Sequence, residues 1–439
     1  MKINGVVVRG AAVGALGGLL FGFDSAVIAG TTRALTAVFQ LSPQTLGVTV
    51  AIALCGTVLG AVVAGPLESR YGGRAMLRWM ALFYLASAIG CAFSPNWTML
   101  MVARFFGGIG IGGSSVIAPV YIAEIAPGRL RGRLVGLFQI NVVAGVLTAY
   151  FSNYLIARAA LGPIEWRLEF GVAAFPALFF FILLFTIPQS SRWLAAKGRF
   201  DEAGVVLQIS GSDEPAKELE SIVASLQEGE STESLFQKIY TKPIFLAVSI
   251  AMFNQLSGIN AITYYLNDIF VAAGFSSLSG NLQAVAFGVM NLLATLLAMS
   301  LIDKMGRRKL LLIGSVGTAI SLSGVALVFS SNNRSSWLLP LLVTYIFFFA
   351  TSQGAVIWVY LSEVFPTRVR GKGQSLGSTT HWVMNAIISS IFPVVAHLSR
   401  AIPFIFFAAM MVIQFFVVRA YYPETKNVSL EELQRQLCP

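Results

Sequence analysis

The sequence predicts an all-α membrane protein: twelve transmembrane helices in two pseudo-symmetric six-helix bundles. Three observations carry that prediction. Of the 439 residues, 56% are hydrophobic and 11% charged, whereas a soluble chain carries about a quarter charged residues. Apolar runs of spanning length, about 20 residues, recur twelve times along the chain. An unusual motif is also written twice. Tyr121-Ile-Ala-Glu124-Ile-Ala-Pro127-Gly-Arg129-Leu-Arg131-Gly132 returns as Tyr360-Leu-Ser-Glu363-Val-Phe-Pro366-Thr-Arg368-Val-Arg370-Gly371. Arg70-Tyr-Gly72-Gly-Arg74 returns as Lys304-Met-Gly306-Arg-Arg308, and Pro188-Gln-Ser-Ser-Arg192 more loosely as Pro423-Glu-Thr-Lys426. All three offsets lie near 235 residues, which is the mark of a membrane chain built from two parallel repeats.

The elements follow in order. Span 1 (10–31) is too long for a cleaved signal peptide and holds Asp24 deep inside, so it reads as a retained helix. Span 2 (46–66) runs between Arg33 and Arg70, and span 3 (76–94) begins beside Arg74. Span 4 (98–122) carries Arg104 inside and ends at Glu124; span 5 (134–156) lies between Arg133 and Arg158. Span 6 (168–188) runs from Arg167 to Pro188. The long polar stretch 189–241 repeats apolar residues at helical spacing, as in Phe200, Ala203, Val206 and Leu207, and predicts amphipathic helices joining the bundles. Span 7 (242–264) is interrupted by Gly258; span 8 (281–302) stops at Asp303; span 9 (309–330) starts after Arg307 and Arg308. Span 10 (337–361) ends at Glu363, span 11 (373–396) starts after Lys372, and span 12 (401–421) stops before Pro423. In the tail, Ser429 followed by Glu432 predicts one last capped helix. The expected division is 1–188 and 242–422 as the two bundles, 189–241 as a cytoplasmic helical linker and 423–439 as a tail.

The net charge of +10 is a matter of topology. Short loops on one side hold Arg70, Arg74, Arg78, Arg129, Arg131, Arg133, Lys304, Arg307, Arg308, Lys309, Arg368, Arg370 and Lys372. The opposite loops offer only Arg33, Arg158, Arg167, Arg334 and Arg400. Positive loops stay cytoplasmic, so both termini are placed there, in a plasma or bacterial inner membrane. The distribution excludes a nucleic-acid footprint. Cys55 and Cys91 fall within spans and Cys438 in the tail, so no disulfide framework is implied. His381 and His397 are the only histidines, and no nucleophile–base or metal cluster assembles, which excludes an enzyme.

Several short motifs now align with one family. They are Gly22-Phe-Asp24, Gly65-Pro-Leu, Arg104-Phe-Phe-Gly-Gly, the two Glu-x-x-Pro-x-x-x-Arg-Gly blocks, Gln255-Leu-Ser-Gly-Ile-Asn260, Asp303-Lys-Met-Gly-Arg-Arg308, Trp358 and Pro423-Glu-Thr. Each is weak alone, but together and in this order they are specific. Over nearly its whole length the chain resembles the sugar porters of the major facilitator superfamily. The resemblance implies an alternating-access carrier for a monosaccharide, acting as a monomer in the lipid bilayer, without cofactor or metal.

A sugar offers hydroxyls that both donate and accept, and two fairly apolar faces, so its site needs amides and aromatic rings. Apolar spans here contain Gln139, Asn254, Gln255, Asn260, Asn291 and Asn385. The resemblance assigns sugar-binding roles to Gln139, Gln255, Asn260 and Asn291, places Trp358 beneath the sugar, and adds Trp382 and Asn385. Gln255 and Asn260 stand five apart, so the helix must unwind between them for both to face one site. The bland alternative is that such amides only bond helices together, at about 0.6 kcal/mol each. Asn254 and His381 replace residues that are usually glutamine (or, at the second position, asparagine) in the family. For His381, sugar contact and helix packing stay open. Val146 replaces a polar residue of the xylose symporters, and the reading leans slightly towards a hexose.

A carboxylate at mid-membrane costs about 2.5–3.5 kcal/mol even on a lenient scale, which calls for a reason. The resemblance pairs Asp24 with Arg104 and makes the aspartate the mark of proton-coupled members, with the proton as coupling ion. The alternatives are a sugar uniporter, a fixed ion pair bracing spans 1 and 4, and a non-transporting receptor. At the cytoplasmic face, Glu124, Arg131, Glu363, Arg370, Arg74, Asp303 and Arg308 form the expected gate. The first repeat departs from the family there, with Ser69, Gly73, Gln189 and Ser191 at family-specified positions, which predicts a looser gate in that half.

Overall fold

The protein is described by a computed structural model covering residues 4–127, 130–212, 214–227, 233–331, 335–426, 428 and 430–437. Arg129, Arg334, Ser429 and Cys438 lie outside the described residues. The described residues form helices and no strand. Twelve helices are long and apolar enough to cross a membrane: Gly5–Phe39, Pro43–Tyr71, Gly73–Ala92, Trp97–Ile125, Arg131–Arg158, Gly162–Leu183, Lys238–Tyr264, Ser277–Met305, Arg307–Ser330, Ser335–Glu363, Arg370–Leu398 and Ile402–Tyr421. They match the twelve expected spans and keep those numbers below. Most run several residues past the apolar core, because polar flanks continue the backbone hydrogen bonding until a glycine, proline or cap residue stops it.

Three spans are broken. Span 6 is Glu165–Gly171 followed by Ala174–Leu183, and span 10 is Leu338–Thr351 followed by Gln353–Glu363. Span 7 ends its first helix at Leu256, restarts at Ile259 and stops at Tyr264; the short helix Leu266–Ala272 follows it. Irregular backbone at membrane depth survives only where it is buried in protein or lines a cavity. The breaks therefore mark places to look for a site.

The chain packs as two compact units. The first comprises Met1–Val27, Cys55–Ala149 and Ile164–Glu230; the second comprises Ile28–Leu54, Tyr150–Pro163 and Ser231–Pro439. In the first, spans 1 and 5 cross closely. A side chain added at Gly22 would strike the Val142 carbonyl, and one at Gly145 would strike that of Leu19. Small residues at a crossing let backbones touch, which is how helices associate without a hydrophobic drive between them. The stretch after span 6 forms the helices Ser191–Ala196, Phe200–Ile209 and Pro215–Gln227. Leu194, Ala195 and Ala203 make a small buried cluster there, covered by Leu219, Ile222 and Val223.

In the second unit, the ends of spans 1, 2 and 5 farthest from the termini pack onto spans 7 and 11. The Tyr150 hydroxyl donates to the Thr263 carbonyl at 2.9 Å, and Gly47 has room for no side chain against the Ser390 carbonyl. The final helix, Leu430–Leu437, buries Leu433 and Leu437 in the core formed by Leu246, Leu310, Tyr360 and their neighbours.

Candidate functional site

Asp24 and Arg104 belong to the first unit and are almost fully buried, at 7% and 2% exposure. Arg104 Nη1 stands 3.7 Å from Asp24 Oδ1, close enough for charge attraction but too long for a hydrogen bond. Asp24 Oδ2, Arg104 Nε and Arg104 Nη1 have no hydrogen-bond partner. The guanidinium also lies over the Phe170 ring, 5.5 Å from its centroid. Gly107 of span 4 makes this approach possible: a side chain there would collide with Ser87 and come within 3.4 Å of Asp24 Oδ2. A buried pair that leaves three of its polar atoms without hydrogen bonds recovers little of its desolvation cost.

The second unit holds a connected set of amides and rings. Span 7 unwinds at Ser257 and Gly258; Gly258 takes φ 82 and packs so tightly on Phe407 that only glycine fits. The unwinding turns Gln255 and Asn260 towards each other, and Asn260 Nδ2 donates to Gln255 Oε1 at 3.0 Å. Gln255 Nε2 donates to Asn254 Oδ1 at 3.1 Å and lies 3.2 Å from both ring nitrogens of His381. The His381 ring sits between two indoles, 5.2 Å from Trp358 and 5.1 Å from Trp382 between centroids. Asn254, Gln255, Trp382 and His381 are buried, whereas Trp358 is 39% exposed. The cluster thus presents one open aromatic face beside buried polar groups.

Not every expected residue joins this cluster. Asn385 forms a separate network: its Nδ2 donates to the Tyr264 hydroxyl at 3.2 Å, and its Oδ1 accepts from Ser389 at 3.0 Å. Asn291 is half-buried on span 8 and Gln139 half-buried on span 5 of the first unit. Gln353, which the sequence reading passed over, is 1% exposed at the start of the second helix of span 10, and its carbonyl accepts from Asn254 Nδ2 at 3.5 Å. An amide inside an apolar run is the same signal that identified the others.

The expected gate residues fall into two equivalent arrangements, one per repeat. Gly72 and Gly306 both adopt φ 88 and introduce spans 3 and 9. Gln189 Oε1 accepts from the Arg74 backbone N–H at 3.2 Å. Glu424, at the matching position, accepts from the backbone N–H groups of Arg307 and Arg308 at 2.9 and 3.2 Å. The Tyr121 hydroxyl donates to the Pro188 carbonyl, and Tyr360 does the same to Pro423. The Arg74 side chain donates to the Ile187 carbonyl at 3.0 Å and that of Arg308 to the Arg419 carbonyl at 2.6 Å.

The charges differ between the repeats. In the second, Arg307 pairs with Asp303 at 3.2 Å and with Glu363 at 2.8 Å, and Thr425 donates to Glu363 at 2.6 Å. Arg307 thus carries the ion pairs, while Arg308 bonds a carbonyl. In the first, Glu124 lies near Ser190 and Arg192. Arg131 donates to the Ala123 carbonyl at 3.0 Å, and Arg370 to that of Phe365 at 3.4 Å.

The chain is similar to known proteins along nearly its whole length. A family model described as "Sugar (and other) transporter" matches residues 10–437. The D-xylose-proton symporter of Escherichia coli (strain K12) is 34% identical over 461 residues, covering 96% of this chain and 94% of its own. The arabinose-proton symporter of Bacillus subtilis (strain 168) is 34% identical over 442 residues, covering 98% and 95%. The inward open conformation of the xylose transporter XylE from E. coli superposes with a TM-score of 0.88 at 33% identity, covering 98% of this chain and 100% of that one.

Proposed function

From the premise that the chain belongs to the sugar (and other) transporter family, we propose that it imports a monosaccharide together with a proton by alternating access. The observation that carries the coupling is the Asp24–Arg104 pair, buried at mid-span, 3.7 Å apart and with Asp24 Oδ2 unpartnered. A proton arriving on Asp24 removes the attraction to Arg104 and frees spans 1 and 4 to shift; its departure on the other side restores the pair. The relatives are named as proton symporters of xylose and arabinose, which supports the same reading. One proton crossing 100 mV releases about 2.3 kcal/mol, and one pH unit adds about 1.4 kcal/mol. Together they sustain roughly 500-fold accumulation of sugar.

The sugar contacts are assigned to Gln255, Asn260, Asn254 and His381, with Trp358 as the face on which the ring lies. Gln139, Asn291, Trp382 and Asn385 complete the assignment on their polarity or ring character and their position within spans. The slight lean towards a hexose gains nothing from relatives named for pentoses, so five- and six-carbon sugars are tested together. The basic loops support a cytoplasmic position for both termini. The halves 1–188 and 242–422 are the proposed moving bundles, joined by 189–241.

The test is uptake of radiolabelled D-xylose and D-glucose into proteoliposomes, with and without an inward proton gradient, for wild type and Asp24→Asn. Symport predicts uphill accumulation that vanishes in the variant while sugar exchange survives. Equal downhill flux in both proteins, indifferent to the gradient, makes the chain a uniporter.

A further inference from the structure

Away from the amide cluster, spans 9, 10 and 12 leave an open groove of about 400 Å³ on the flank of the second unit. Its wall is the stripe Leu312, Ile313, Val316 and Ile320 of span 9, with Phe348 from span 10 and Phe415 from span 12. Two hydroxyls border it, and both are used within their own helices. Ser321 donates to the Gly317 carbonyl at 2.8 Å and Thr344 to that of Pro340 at 2.7 Å. The groove therefore offers hydrocarbon contact and no spare polar group. From Leu312 to Ser321 it follows the helix for about 14 Å, close to the depth of one leaflet of a core about 30 Å thick.

The mouth of the groove is cationic. Lys309 stands three and four residues before Leu312 and Ile313, so it continues the same stripe at the start of span 9. Arg419 stands four residues after Phe415, near the end of span 12. Arg308 joins the two helix ends by donating to the Arg419 carbonyl at 2.6 Å. Lys309 and Arg419 are exposed, and neither makes an ion pair among the described residues. The neighbouring carboxylates are engaged elsewhere: Asp303 and Glu363 hold Arg307, and Glu424 caps span 9. An apolar slot one leaflet deep, opening between two unpaired cations, matches a single amphiphile.

We propose that this groove binds an anionic phospholipid, with one acyl chain along span 9 and the phosphate between Lys309 and Arg419. Such a lipid would bridge the ends of spans 9 and 12, with Lys309 two residues from Arg307 of the Arg307–Glu363 pair. Two juxtamembrane cations at about 1 kcal/mol each amount to a preference of roughly 30-fold for an anionic headgroup over a zwitterionic one.

The test is native mass spectrometry of the full chain, released from micelles containing equal phosphatidylglycerol and phosphatidylcholine. Lys309→Gln/Arg419→Gln, both at exposed positions, is expected to carry one phosphatidylglycerol fewer than wild type, with its phosphatidylcholine adducts unchanged. Val316→Phe, which fills the groove and keeps the cations, is expected to lose the same lipid. An unchanged phosphatidylglycerol distribution in the double glutamine variant overturns the headgroup assignment. An unchanged distribution in Val316→Phe overturns the seat of the acyl chain.

Discussion

Gln255 serves Asn254, Asn260 and His381 through one amide, so its loss strands several polar groups at once. A buried donor or acceptor left unsatisfied costs about 1–3 kcal/mol. Gln255→Ala is therefore expected to weaken sugar binding about 10- to 100-fold, read as quenching of the Trp358 and Trp382 fluorescence on titration with D-xylose or D-glucose. Affinity unchanged within about twofold would mean that the amide set is structural and the sugar sits elsewhere. Some of this arrangement was legible beforehand, because Gln255 and Asn260 at a spacing of five cannot share a helical face without a break. The partner of His381 was not legible: Gln255 lies 126 residues away in sequence, and periodicity carries no information across such a gap. Gln353 was missed although its signal was present: its amide lies inside the apolar run of span 10, and Gly354 follows it at the break.

At the scale of elements, the repeat builds the same device twice with different chemistry. Spans 3 and 9 each start after a glycine with φ 88 and are capped from the following bundle segment, one by neutral Gln189 and the other by anionic Glu424. A hydrogen bond to an ionised acceptor is roughly twice as strong as a neutral one, and a negative charge at a helix N-terminus adds about 0.3–1 kcal/mol. Glu424→Gln is therefore expected to destabilise the purified protein by about 1 kcal/mol, and Gln189→Glu to stabilise it by a few tenths to 1 kcal/mol. Thermal unfolding in detergent, followed by size-exclusion chromatography, checks both. A loss in Gln189→Glu as large as that in Glu424→Gln would show that the first cap has no room for charge. The repeated motifs foretold two equivalent corners, and the departure at Gln189 is the basis for expecting the looser gate in the first half. What Pro423-Glu-Thr contacts was hidden, because its target, the start of span 9, is more than a hundred residues upstream.

At the scale of the whole molecule, the sequence divides the chain at 189–241, whereas packing assigns Ile28–Leu54 and Tyr150–Pro163 to the unit that holds spans 7–12. Hydropathy marks where a span begins and ends but not which neighbour each end touches, so that allegiance was illegible. It has a consequence for pH. Asp268, on the short helix after span 7, faces Thr32 and Arg33 of span 1, with Tyr265 just before the helix; Arg400 binds the end of that helix through the Ala272 carbonyl. Its Oδ2 is buried without a partner. Burial pushes the carboxyl up to about 6, and the opposing pull of Thr32 and Arg33 falls short of cancelling it. Where span 1 parts from this helix and water reaches the group, the carboxyl returns towards its ordinary value of 3.8. Between those values the packed arrangement holds a proton that the parted one releases. Acidification through this window therefore favours packing, and raising the pH above about 6 favours parting. With the native cysteines replaced by serine, a cysteine at the buried Thr32 position is expected to react with a membrane-impermeant maleimide faster at pH 7 than at pH 5, after correction for thiolate fraction. Asp268→Asn is expected to make the corrected rate flat and low. A pH dependence that persists in Asp268→Asn would assign the switch to another group.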